Sequence, residues 1–188
     1  MQWTKLNLTK VLDLYKDREY HNLDHLASMY NYLNAQEVEY SKPLDYAILF
    51  HDAVYDNLPD KELRSINLFN TCSLTLPLDV HDINWINILI KSTINHKIIL
   101  NVELEHNIIQ ADLCDLLDLD KAIINREKIR LESKRLYGID DDTFYKANSE
   151  FMLNLAVTML SNMSKSHWDS DKEFYSTVAE NIRKLIKI

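Results

Sequence analysis

The stretch Ser41-Lys42-Pro43-Leu44-Asp45-Tyr46-Ala47-Ile48-Leu49-Phe50-His51-Asp52-Ala53-Val54-Tyr55 decides how this chain of 188 residues reads. Pro43 suits the first turn of a helix. Leu44, Ala47, Ile48, Phe50, Ala53 and Val54 then continue an apolar pattern that predicts a helix to about Tyr55. His51 falls three residues after Ile48 and four after Ala47, on the stripe that should face the core. A titratable pair there, His51-Asp52, costs several kcal/mol unless its members find partners. A helix that carries such a pair inward points to a site.

The rest of the chain agrees with a helical fold. The sequence holds one glycine, Gly138, where average usage would place roughly 13, and three prolines. A P-loop, a dinucleotide-binding turn or a nucleophile elbow each needs more glycine than that. Hairpins and bulges lean on glycine too. The fold class is therefore all-α, a compact bundle of eight or nine helices in one domain over 1–188. The expected helices are Thr4–Tyr15 (Leu8, Val11, Leu12 and Tyr15 on one face), Asn22–Gln36, the one starting at Ser41, Lys61–Leu74 and Val80–His96. Val102–Leu117, Leu119–Tyr137, a helix capped by Asp140 to Asp142 that runs to Met163, and Lys172–Ile188 follow. Ile83, Ile86, Ile90 and Ile94 should be buried, and Gly138 should stop its helix in the left-handed conformation. Trp3, Trp85 and Trp168 read as packing residues.

Charge is 21 basic against 29 acidic residues, a net of −8. A groove for long nucleic acid leaves a basic footprint, and none is present overall. Cys72 and Cys114 form no metal-type pair and read as reduced thiols. Met1 to Val11 lack an apolar leader core, and no apolar run reaches 18 residues. The expectation is a cytoplasmic protein without a membrane span, with a small substrate as partner and room for a homodimer.

Histidines and acids cluster at informative spacings. His21 and His25 lie one helical turn apart. Asp112 repeats the pattern of His51-Asp52, an acid inside the apolar run Ile108 to Leu113. Imidazole and carboxylate together suit Mn²⁺, Fe²⁺, Co²⁺, Ni²⁺ or Zn²⁺. Such an ion lowers the pKa of a bound water and offsets charge on phosphoryl oxygens.

The order His25, His51-Asp52, Asp112 resembles the H…HD…D signature of the HD-domain metal-dependent phosphohydrolases. The likeness extends to Arg18-x-Tyr20-His21-x-x-x-His25 and Phe50-His51-Asp52-Ala53-Val54-Tyr55-Asp56. Glu62-x-x-Ser65, Thr93-x-x-His96, Ala111-Asp112-Leu113 and Ile129-Arg130-x-Glu132 continue it. These resemble a subfamily of small bacterial HD proteins predicted to be phosphohydrolases, with a metal-site core over about 15–135 and helices 140–188 packed on it. Tyr20-His21-Asn22-x-x-His25 also resembles the start of the cyclic-nucleotide phosphodiesterase catalytic domain.

The resemblance implies His25, His51, Asp52 and Asp112 as ligands of one or two divalent ions (Mg²⁺ joins the candidates), with Asp52 able to bridge. It implies His21 as the proton donor to the leaving group; His21 and His25 compete for the place of first ligand. Arg18, Glu62, His96 and Arg130 would contact the substrate or support the ligands. Arg18 can instead pair with a nearby acid, and His96 can simply cap a helix. Arg126, Lys128, Arg130, Lys134 and Arg135 read as a solvated basic face. Gln110, Lys61, Ser133 and Asn148 depart from the subfamily's pattern. The implied activity is hydrolysis of a monoester or diester in a small, nucleotide-like phosphorylated substrate. The alternatives are a catalytically silent HD module that binds a nucleotide or a partner protein, and a helical adaptor that holds no metal. His81, His106 and His167 receive no role.

Overall fold

The computed structural model describes residues 8–188, and among these there are nine α-helices, one short 3₁₀ helix and no strand. They are α1 (Leu8–Asp13), α2 (Leu23–Ala35), α3 (Lys42–Phe50), α4 (Lys61–Ser73), α5 (Val80–Thr93) and α6 (Glu103–Leu113). The 3₁₀ helix Cys114–Leu117, α7 (Leu119–Tyr137), α8 (Asp141–Lys165) and α9 (Asp169–Leu185) complete the chain. None is long and apolar enough to cross a membrane.

Side-chain caps set four of the helix starts. Asn22 accepts from the backbone N–H groups of Asp24 and His25, Asp79 from Asp82, Asp118 from Asp120 and Lys121, and Asp140 from Thr143. Each satisfies a donor that the first turn leaves orphaned. Gly138 ends α7 at φ 66°, where a Cβ would be strained. Phe50, Phe69, Ile86, Ile90, Ile109 and Met159 fill the core from α3, α4, α5, α6 and α8. The hairpin of α8 and α9 is the most extensive helix pair, and α3 packs along α5.

Several helix boundaries differ from the sequence reading. The third helix stops at Phe50 rather than Tyr55, because Val54 gives its N–H to the Ser65 hydroxyl at 2.9 Å instead of to the helix ladder. The fifth stops at Thr93, and His96 turns left-handed at φ 50°. The segment Cys114–Leu117 tightens to a 3₁₀ turn. The eighth runs to Lys165, and α9 begins at Asp169. Of the first helix, Thr4 to Asn7 lie outside the described residues, as does Trp3. Val11 and Tyr15 are buried as expected, but Leu12 is exposed. Trp168, expected in the core or half-buried, is 40% exposed and packs edge-on against His106.

Candidate metal centre and its cleft

Four segments converge on one point. His25 comes from the first turn of α2, and His51 and Asp52 from the residues that close α3. His96 comes from the loop after α5, and Asp112 from the last turn of α6. Each position has a local cause. Asn22 caps α2 and also donates its amide to the carbonyls of Arg18 and Glu19, at 3.1 and 3.2 Å, so the loop and the His25 turn are set together. The end of α3 leaves carbonyls without helical partners. Tyr15 donates its phenol to Leu49 O at 3.0 Å. Arg18 donates to Asp52 O at 2.7 Å, to Ala53 O at 3.0 Å and to His21 O at 3.2 Å. A cation there also suits the negative end of the helix dipole. The left-handed backbone at His96 is pinned by Asn162, a fully buried residue of α8, which donates to His96 O at 2.7 Å and accepts from Ile98 N.

The side chains meet within a few ångströms. His25 Nε2 lies 3.1 Å from Asp112 Oδ1, and His96 Nε2 lies 3.1 Å from Asp112 Oδ2. His51 Nε2 is 3.2 Å from Asp52 Oδ2 and 3.6 Å from Asp112 Oδ1. His51 donates its Nδ1–H to Ile48 O at 2.8 Å, which leaves Nε2 as the atom open to a metal ion. That Nε2 is buried and makes no hydrogen bond. Ligand atoms of His25, His51 and Asp52 all lie within 4.8 Å of one another, so this group can hold a metal ion. The donor set of imidazole nitrogen and carboxylate oxygen, with Asp112 beside it, fits a divalent transition metal.

The electrostatics fit the same conclusion. Burial alone would lower the His51 pKa, but the carboxylates of Asp52 and Asp112 outweigh it and raise it well above the usual imidazole range. Burial would raise Asp52 and Asp112. The charge of His51, with His21 for Asp52 and hydrogen bonds from His25 and His96 for Asp112, holds both below the usual carboxylate range. Two adjacent buried acids thus depend on the charge supplied around them.

His21 stands apart from the ligands. Its Nδ1 lies 2.5 Å from Glu132 Oε2, and its Nε2 faces the centre, 3.9 Å from Asp52 Oδ2. Glu132 is buried in α7, and its Oε1 sits 3.4 Å from the backbone nitrogens of Tyr20 and His21. Burial would raise the Glu132 pKa, but the His21 hydrogen bond and charge bring it below the usual range. Tyr55 stacks on His21 with ring centroids 4.0 Å apart, and Lys61 Nζ lies 3.6 Å from the Tyr55 ring centre.

The centre opens into a cleft of about 400 Å³ between α7 and α8, mostly apolar in its lining. His21, His51, Asp52, His96, Asp112 and Glu62 reach it, as do Lys61, Ser133 and Asn148, three of the four departures from the family pattern. Gln110, the fourth, faces away. It donates to Asp171 at 2.7 Å and accepts from Tyr32 at 2.8 Å.

Two sequence expectations change here. Arg18 is neither a free phosphate binder nor paired with an acid, because its guanidinium is spent on three backbone carbonyls. Arg130 does not reach the cleft; it pairs with Glu127 at 2.9 Å and Asp141 at 2.6 Å. The group that α7 does deliver is Glu132, two residues later. Its signal was the Ile129-Arg130-x-Glu132 element, on a helix whose basic face read as solvated. His106, given no role, lies in a buried network, 2.8 Å from Asp171 and 3.0 Å from the Tyr175 hydroxyl.

No family model, curated protein or solved structure matches this chain.

Proposed function

We propose that the protein is a metal-dependent phosphohydrolase of the HD type, acting on a small phosphorylated substrate. The observation that carries the reading is the orphaned, buried Nε2 of His51. The ring is held from behind by Ile48, and that nitrogen is aimed at two carboxylates and a second imidazole. A buried ring nitrogen that makes no hydrogen bond and faces two carboxylates is a position that a metal ion would fill in place of the proton.

His25, His51, Asp52 and Asp112 would hold the ion, Mn²⁺, Fe²⁺, Co²⁺, Ni²⁺, Zn²⁺ or Mg²⁺. When bound it supplies Lewis acidity, making water a better nucleophile and offsetting charge on the phosphoryl oxygens. The rest falls to the protein. Arg18 holds the His51-Asp52 corner rigid. Glu132 accepts the His21 Nδ1–H and so aims Nε2 at the cleft, from which the doubly protonated ring would donate. In the reaction a water oxygen forms a new bond to phosphorus and the bond from phosphorus to the ester oxygen breaks. The leaving oxygen takes the His21 Nε2 proton, and the water's proton passes to solvent. The paired His21 and Glu132 favour this over a silent binding module, which needs no positioned proton.

The test is phosphate release from a panel of monoesters and diesters by protein reconstituted with each ion. The expected result is turnover that His21→Ala abolishes while fold and bound metal persist. Absence of turnover with every ion and ester overturns the assignment.

A further inference from the structure

Resting on the phosphohydrolase reading, one cation in the cleft wall points further. The sequence puts Arg126 on the basic face of α7. In the structure it lines the cleft, on the same helix face as Ala122, Ile129 and Ser133. We infer that Arg126 is a second anion-recognition point, and that the substrate carries, besides its scissile phosphoryl group, a distal carboxylate or phosphate on an organic spacer.

The guanidinium is held in place but not neutralised. Its Nη1–H goes to Leu185 O at 2.8 Å, at the C-terminal end of α9, and the Tyr145 ring centre lies 5.6 Å away. Its Nε is buried and makes no hydrogen bond. Among the described residues no carboxylate forms an ion pair with it, because the neighbouring acids are engaged elsewhere. Asp115 accepts from Lys121 at 3.2 Å and from Asn125 at 2.8 Å. Glu127 accepts from Arg130 at 2.9 Å and from Tyr145 at 2.6 Å. Glu62 comes from the first turn of α4, where its charge acts on Tyr55 and Tyr137. A buried cationic donor without an acceptor is costly, and an anionic group removes that cost. The guanidinium fork suits a carboxylate or a phosphate. Asn148 follows Tyr145 on the next turn of α8, lines the same cleft and makes no side-chain hydrogen bond, so it can add a donor.

Arg126 is also set apart from the reacting centre. Glu132, bonded to His21, marks the centre's end of α7. Arg126 lies six residues earlier, about 9 Å along the helix axis. Side chains of one helix tilt the same way, so the offset persists. A phosphate joined by an anhydride bond to the scissile one stays at the centre. A group that reaches Arg126 needs a spacer, and the cleft's apolar lining, with Leu116, Ile129 and Met152, suits one.

The binding experiment needs no turnover. Calorimetry in the presence of Mn²⁺ compares octylphosphonate with phosphonooctanoate, octane bisphosphonate and phosphonoacetate. The first has no second anion, and the last has one too close to reach Arg126. At least one of the two long dianions should bind about tenfold or more tighter than both octylphosphonate and phosphonoacetate, and the tighter of the two names the distal group. In Arg126→Met the preference for the long dianion over octylphosphonate should fall to within about threefold. Arg126→Lys, which keeps the charge but not the fork, should retain part of it. Equal or tighter binding of octylphosphonate by the natural sequence overturns the inference, as does a preference that survives in Arg126→Met. If Arg126 only caps α9, the variant weakens all four ligands alike and leaves their ratios unchanged. The comparison on the natural sequence stands even if Arg126→Met fails to fold.

The matching esters separate this inference from the reading it rests on. Phosphate release from the phosphate ester of hydroxyoctanoate should exceed that from octyl phosphate at least about tenfold in kcat/KM. Equal release from both overturns the inference and leaves the phosphohydrolase reading intact.

Discussion

Replacing Glu132 with Gln tests the division of labour between His21 and the metal ligands. The amide keeps the shape of the side chain but loses its charge. The hydrogen bond at 2.5 Å to His21 Nδ1 becomes a neutral one, and the 3.4 Å approaches to the Tyr20 and His21 nitrogens weaken with it. A hydrogen bond to a charged group contributes roughly 1.5–3 kcal/mol and a neutral one about 0.5–1.5. The difference is about 1–2 kcal/mol, or roughly a 5- to 30-fold loss in kcat at about 1.4 kcal/mol per tenfold. His21→Ala removes the proton transfer itself and should cost about 10²- to 10⁴-fold. The assay is kcat on two monoesters that differ in the acidity of the leaving alcohol. On a benzyl or alkyl phosphate both losses should be full. On p-nitrophenyl phosphate, whose leaving group needs little protonation, both should shrink to within about threefold. In the double variant the effects should not add, because both act through one proton. Equal losses on the two esters, or clean additivity, would refute the assignment of His21 as proton donor and Glu132 as its positioning residue.

Three other expectations follow from the same contacts. Arg18→Ala removes three hydrogen bonds to the carbonyls of His21, Asp52 and Ala53. It should cost about 2–4 kcal/mol in urea unfolding and weaken metal retention; a cost below about 0.5 kcal/mol would show that the clamp is ornamental. Asp171→Ala strips a buried carboxylate from His106, Gln110 and Ser166 and should destabilise by roughly 3 kcal/mol, which a fall of several degrees in Tm would report and an unchanged Tm would contradict. Stability of the metal-free protein should depend on pH from both sides. Asp52, Asp112 and Glu132 are depressed, so their contribution is present above about pH 4.5 and is lost as acid titrates them. His51 is raised, so its contribution is full below about pH 6.5 and is lost as pH rises through its folded value. Added metal should restore stability on the alkaline side, since His51 ligates as the neutral ring. Melting curves with and without Mn²⁺ check this, and a metal-free curve flat from pH 6 to 10 would contradict it.

The helices were legible because their causes are local. Asn22, Asp79, Asp118 and Asp140 cap where they stand, and the isoleucine stripe of α5 repeats within one helix. Where α3 ends was not legible. Ala53 and Val54 continue the apolar pattern, but Ser65 and Arg18 hold the backbone out of it, and neither is a sequence neighbour. The left-handed turn at His96 likewise depends on Asn162, 66 residues away. The convergence of His25, His51, Asp52 and Asp112 agrees with what the resemblance implied; spacing alone would not have joined residues from three helices. The roles of Arg18 and Glu132 did not show, for opposite reasons. Arg18 resembles a phosphate binder until the unpaired carbonyls at the end of α3 are seen. Glu132 resembles a surface acid until its partner, 111 residues away, is seen. Arg130 was named with Glu132 from the Ile129-Arg130-x-Glu132 element, and of the two it is Glu132 that reaches the centre.

The most direct test of the central claim is metal content by mass spectrometry, on protein purified without chelator and reconstituted with Mn²⁺ or Fe²⁺, with Asp52→Ala beside it. The account predicts about one or two equivalents per chain in the natural sequence, lost in the variant whose fold is unchanged by circular dichroism. No retained metal in the natural sequence, or equal retention in Asp52→Ala, would contradict it.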